Sequence, residues 1–402
     1  IPPFQKPDEN VHFLRAVALS EGQFFCSSDE NGNGRFLISQ EYFDYIANVG
    51  THRIAFNYNE KFFLNDIVKA EQKESDMEDI GNFGSFCSLP FVAYVLSAIA
   101  ILIGSLFSSI TVSFYLARFI NFFVLFFSLV WSYKKIKESN LRWLLLAYAL
   151  IPMVTHQAAA VGYDSLQLAA IPIIFAITVS SVSQNKLDWK DITLYIVSMA
   201  VLLVAKPGYY FMSLLYFLIP ADKFTKNKKE YIIYTILFFV ICIIASVLTV
   251  VFLKSSGVLG SNGNIDPISQ LKGLLDPLFF IVLVKNTIEG GLQFYLQGFI
   301  GYFGWLDYSL PYPIYFIYIL SWFVLLFKIK DNVFFNKLYF RVSIIGLVIL
   351  LTVGFIFGSI YLTWNPVGVY GISGVQGRYF LVLFPFLILF GAGVIRAIER
   401  NK

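Results

Sequence analysis

The chain has 402 residues, 57% of them hydrophobic and 14% charged, with a formal net charge of +4. A soluble domain carries about 25% charge, so this composition excludes an ordinary soluble protein, and nothing in it points to nucleic acid. The 43 Phe and 24 Tyr suit lipid and its interfaces, and the expected class is an all-α integral membrane protein.

Charge divides the chain in two. Residues 1–87 hold fourteen acids against seven bases, whereas the remainder is basic. The first block reads as a water-facing unit. It has an amphipathic helix near 8–22, a polar turn "DENGNGR" and a charged helix "KAEQKESDMED". Ile1 is not a Met, and a signal anchor or first transmembrane helix is expected just upstream.

The stretch 88–110, "SLPFVAYVLSAIAILIGSLFSSI", is long enough to span, but an interfacial or re-entrant helix pair is expected instead. Crossing a bilayer takes about 20 apolar residues. Candidate spans follow at 114–133, 142–158, 165–182, 191–205, 208–220, 231–253, 312–328, 340–362 and 379–395. With helices outside these limits, a bundle of about nine to eleven is expected. Residues 1–113 form the external unit and 114–402 the membrane body. External loops are expected near 156–164, 254–311 and 363–378, with "DPISQLKGLLDPLFF" lying in the interface.

Alternate loops differ in charge. The segments 134–142, 183–190, 221–230, 328–341 and 396–402 carry 17 bases, whereas the opposite loops carry Lys206, Lys254, Lys272, Lys285 and Arg378. The positive-inside rule places the first set in the cytoplasm. It follows that residues 1–113 lie outside a plasma membrane.

Few residues are equipped for chemistry. In "PPFQKPDENVHF" (2–13), Asp8, Glu9 and His12 follow three prolines, and Asp8 and His12 share a helix face with Arg15. The plain reading is a helix start, where acids meet the helix dipole. Capping needs one acid, however, and here there are two with a histidine. Arg378 in "QGRY" and Lys206 before Pro207 are candidate phosphate ligands or interfacial anchors. Arg118 reads as structural. Asp164 either caps the helix that follows or orients a substrate; His156 and Asp307 are weaker candidates. There is no zinc pattern. "DENGNGRFLISQ" (29–40) matches half a calcium loop, but Gln40 stands where the bidentate acid belongs, so a turn is preferred. Cys26 and Cys87 both fall in the external block, where a disulfide is permitted.

"PPFQKPDENVHFLRAVALSEG" resembles the opening of a bacterial multi-pass family listed as domain of unknown function 2142. The resemblance continues through "LARFIN" (116–121), "YDSLQLA" (163–169), "KPGYY" (206–210), "GYFGWLDYSLP" (301–311) and "GVQGRYFL" (374–381). That family in turn is similar to the GT-C membrane glycosyltransferases, which take sugars from polyprenyl-phosphate carriers. Their catalytic acid lies in the first external loop, the place of Asp8 here. The resemblance implies a GT-C-like bundle in the bacterial plasma membrane with an extracytoplasmic active site. The implied donor is a polyprenyl-phosphate sugar, of the undecaprenyl class, and the acceptor an envelope polysaccharide or teichoic-type polymer. Inverting transfer is expected. Asp8 is the expected base, with Glu9 second and His12 orienting. Arg378 and Lys206 would hold the donor phosphate, and Asp164 and His156 would orient the acceptor. No cofactor is required, although a divalent metal has room in such a scheme. A flippase for a lipid-linked sugar and a non-catalytic partner of an envelope synthase are the rival classes. A carrier should show paired repeats and midplane charges; a partner would leave the acid turn unexplained.

Overall fold

The computed structural model describes residues 2–28, 34–57, 59–71, 87, 89–137, 140–183, 187–205, 208–224, 228–255 and 265–401. The only strands among them form two short antiparallel hairpins, Ser27–Ser28 with Gly34–Arg35 and Tyr302–Phe303 with Tyr308–Ser309. Everything else ordered is helical.

The acidic block supplies α1 (Glu9–Ser20), α2 (Gln40–Asn48), α3 (Thr51–Ile54) and α4 (Leu64–Glu71). It has a core of its own, in which Phe4, Phe13, Tyr45 and Phe114 are all buried. Phe4 and Phe114 pack with ring centroids 4.6 Å apart. A disulfide joins Cys26 to Cys87, with Cα atoms 5.6 Å apart, within the usual range.

The stretch 88–110 is a hairpin arm. A 3₁₀ turn, Phe91–Tyr94, leads into α5 (Val95–Ser105), which doubles back along α6 (Ile110–Lys135). Gly104 meets the Ser113 backbone so closely that a Cβ there would clash. Ser97 Oγ lies 3.2 Å from Asn121 Oδ1. The arm therefore begins near the level of Asn121, and α6 continues to Lys135, about 21 Å further at 1.5 Å per residue. The arm's α5 is 11 residues long, short of the about 20 that a span takes.

Next come α7 (Arg142–Ala149), α8 (Pro152–Ala158), α9 (Asp164–Ser183) and α10 (Trp189–Ala205). A 3₁₀ helix, Tyr210–Leu218, precedes α11 (Ala221–Phe224) and α12 (Lys228–Ser255). After residue 265 follow α13 (Pro267–Leu274), α14 (Pro277–Ile300), α15 (Tyr312–Lys328), α16 (Leu338–Trp364) and α17 (Phe384–Arg400). The last is entered through a 3₁₀ helix, Gly377–Leu383.

All nine predicted spans are largely helical, yet only five described helices are by themselves long and apolar enough to cross: α6, α9, α12, α16 and α17 with its 3₁₀ entry. The other four are shorter or broken. Proline at residue 152 separates α7 from α8, α10 and α15 stop at 17 residues, and 210–218 is 3₁₀. The central helix is α9, whose apolar window is 83% buried; that of α12 is 17% buried. A helix so apolar and so exposed needs lipid around it. The protein is an all-α, multi-pass membrane protein.

The predicted interfacial stretch is not one helix. Asp266 and Asp276 each accept a backbone N–H from two residues on, and each is followed by proline, a strong helix start. Two starts give two helices, bent by 101°. The first half of α14 stays with the 363–378 loop: Thr287 Oγ1 accepts from Ile372 N at 2.9 Å, and the Phe279 and Tyr370 rings lie 5.4 Å apart, tilted. At its far end the hairpin beyond Ile300 reaches the N-terminal turn, where Trp305 Nε1 donates to Phe4 O at 3.0 Å. The basic loops keep to themselves likewise, through Leu187 N to Lys223 O and Tyr339 Oη to Asn401 Oδ1.

Candidate active site

Asp8 stands at the N-cap of α1 in a left-handed conformation, φ 64°, ψ 9°, and its side chain caps nothing. A positive φ is unusual for a non-glycine residue and costs about 1–3 kcal/mol where the surroundings enforce it. The enforcement is visible. On one side Phe4 and Lys6 are fully buried; on the other Glu9 is. Asp8 alone among these four faces outward.

Glu9 is not a spare acid. Arg118 grips it with two N–H groups, Nε to Oε1 at 2.9 Å and Nη2 to Oε2 at 2.5 Å. Val161 N donates to Oε1 at 2.9 Å, and Arg118 also reaches Pro2 O. With no exposed surface and both oxygens occupied, Glu9 is not placed to meet a substrate, unlike the exposed second acid expected.

Arg15 is likewise a brace, donating to the carbonyls of Leu89, Gln23 and Phe24; burial pushes its pKa down to about 10. His12 Nδ1 lies 2.6 Å from the Tyr94 hydroxyl, and its ring meets Tyr163 edge-on at 5.0 Å. This fixes His12 into the wall behind the acid turn.

The loop before α9 closes the other side. Lys6 Nζ, buried, stands 2.7 Å from Asp164 Oδ2. Gly162 packs close beneath it: a Cβ would lie 2.7 Å from Lys6 Nζ and 3.3 Å from the His12 ring, so a larger residue would have to shift the lysine head. Asp164 is the first residue of α9 and holds the lysine. Lys6 was missed in sequence because it sits among prolines, 158 positions from its partner.

Arg378 enters from the 3₁₀ helix before α17, which packs so tightly on α14 that a Cβ on Gly377 would strike the Tyr295 carbonyl. The residue is 9% exposed, yet its Nε and Nη1 have no hydrogen-bond partner among the described residues. Asp164 and Asp8 both act on it electrostatically. A buried, unsatisfied donor costs about 1–3 kcal/mol, more when charged.

His156, on α8, stacks near Phe303 at 5.0 Å and feels Lys6, Arg118 and Arg378. It borders an open cleft of about 630 Å³ that Asp307 also lines. Lys206 and residues 29–33 of the 29–40 turn lie outside the described residues. Among the described residues, no group of three or more His, Cys, Asp and Glu gathers as metal ligands.

A family model described as a predicted membrane protein (DUF2142) matches residues 1–387. The chain belongs to that family. No curated protein and no solved structure matches it. In this DUF2142 chain, the acid turn, the loop before α9 and Arg378 thus come together from three distant segments.

Proposed function

We propose that this chain is a membrane glycosyltransferase of GT-C type, moving a sugar from a polyprenyl-phosphate donor to an envelope polysaccharide or teichoic-type acceptor on the extracytoplasmic face. The observation that carries this reading is the buried Arg378, whose Nε and Nη1 have no hydrogen-bond partner among the described residues, within electrostatic reach of an outward-facing Asp8. A fork of buried donors is built for a phosphate, and an exposed carboxylate that caps nothing is free to act as a base.

Asp8 takes the proton of the acceptor hydroxyl as its oxygen attacks the anomeric carbon. The bond to the phosphate oxygen breaks, and its electron pair leaves with the polyprenyl phosphate. Arg378 stabilises that leaving charge. With Glu9 withdrawn into its ion pair, a single working carboxylate suits one inverting displacement. Lys6 and Asp164 hold the turn, and His156 faces the acceptor side.

Transfer from a polyprenyl-phosphate sugar, followed with purified protein in nanodiscs, tests the reading. Asp8→Asn is expected to lower turnover by about 10²–10⁴-fold with an unchanged melting temperature, since the side chain makes no cap. Arg378→Ala is expected to impair donor use, with Arg378→Lys restoring only part, because a point charge does not reproduce the fork. An Asp8→Asn protein with full activity rejects the assignment. Donor binding with no transfer from any polyprenyl-phosphate sugar favours the carrier or the non-catalytic partner.

A further inference from the structure

The cleft beside His156 has a chemistry distinct from the Arg378 wall. It lies between α6, α8, the N-terminal turn and the Tyr302–Ser309 hairpin, and its polar lining includes Gln5, Asn57, Glu60, Thr155, His156 and Asp307. Among the described residues, no lysine or arginine lines it. Glu60 is shared with Arg53 at 2.8 Å, while Asp307 has no ion-pair partner among the described residues.

With Glu60 neutralised by Arg53, the Asp307 carboxylate remains, a poor partner for a phosphate. An acyl chain would leave that carboxylate and the side-chain amides of Gln5 and Asn57 without partners. The rest of the lining is apolar, partly aliphatic (Ile54, Pro152) and partly aromatic, with Phe303 and Tyr308 on the hairpin and Phe122 on α6. Carboxylates and amides that accept and donate hydrogen bonds, beside flat apolar faces, match a neutral polyhydroxylated ring. The volume falls in the range of small-molecule sites, about 300–1,000 Å³.

Two further observations indicate a built site. His156 is 9% exposed, and its Nδ1 has no hydrogen-bond partner among the described residues; neither has the buried Gln5 Nε2. The hairpin holds Leu306 at φ 63°, a strained conformation for a bulky residue. Its tip is pinned by the Trp305 bond to Phe4 O.

We infer that this cleft binds an uncharged sugar ring, with Asp307 and Asn57 as specificity-determining contacts and His156 between the ring and the Arg378 wall. That the ring is a substrate rests on the glycosyltransferase reading; its neutral polyol character rests on the lining alone. The ring is either the acceptor's sugar or the sugar carried by the donor.

Saturation-transfer NMR on the full chain in nanodiscs, without lipid donor, distinguishes these. The first probes are methyl glycosides of glucose, galactose, mannose, rhamnose, arabinose and N-acetylglucosamine. The second are farnesyl-phosphoryl sugars against sugar-free farnesyl phosphate. Asp307→Asn and Asn57→Ala, on different elements, are each expected to weaken binding about tenfold, the loss of one hydrogen bond to a charged or polar group. An effect on free glycosides assigns the cleft to the acceptor; an effect confined to the farnesyl-phosphoryl sugars assigns it to the donor ring. If neither substitution, in a variant with an unchanged melting temperature, alters binding of any probe that carries a sugar, the inference is overturned. Failure of every such probe to bind wild-type protein overturns it equally. Glycoside binding without transfer keeps the cleft and removes the transferase; transfer with unchanged KM in both variants does the reverse.

Discussion

Asp8 and Glu9 are adjacent in sequence and opposite in physical role. The difference comes from the positive φ at Asp8, which rotates one carboxylate outward and the next into the Arg118 fork. No helical periodicity foretells that, and Arg118 stands 109 residues away. What was legible was the anomaly of two acids behind prolines; which one faces outward was not. Removing one partner of a buried ion pair strands the other and costs about 3–5 kcal/mol. Glu9→Gln is therefore expected to lower the melting temperature strongly, with activity falling in step with folded protein. A Glu9→Gln protein as stable as wild type but inactive would transfer the role of base to Glu9.

At the scale of elements, hydropathy located the five described helices that are by themselves long and apolar enough to cross, because apolar runs bounded by charged loops need no partner to be recognised. It did not show where helices break. Two Asp-Pro pairs made two helices from one predicted stretch, and α7 and α8 part at Pro152. Side chains supplied from afar were equally hidden, as with Gly162 against Lys6. The Cys26–Cys87 bridge was open in sequence and is closed in the structure, spanning 61 positions. A closed loop of that length is worth about 2–4 kcal/mol, chiefly through the unfolded chain. Cys26→Ser with Cys87→Ser is expected to speed proteolysis of the acidic block while leaving the membrane body resistant. Unchanged proteolysis would show that the core around Phe4 and Phe114 holds the block alone.

For the whole molecule, the separation of loops into two contacting sets and their charge asymmetry are independent facts that agree. The contacts say which loops share a side: Trp305 with Phe4, Ile372 with Thr287, and opposite them Arg396 with Asp331. They do not say which side faces the cytoplasm. The charge supplies the expectation that the basic loops do, because translocating Lys and Arg is disfavoured. Single cysteines placed at exposed positions separate the two claims, on a background with buried Cys242 replaced and the disulfide intact. Asn57→Cys and Tyr370→Cys are expected to react with a membrane-impermeant maleimide on intact cells. Lys330→Cys and Asn401→Cys are expected to react only after lysis. External labelling of all four would break the grouping of loops itself. A clean reversal would keep the grouping but turn the acid turn and Arg378 toward the cytoplasm, where an extracytoplasmic donor cannot reach them.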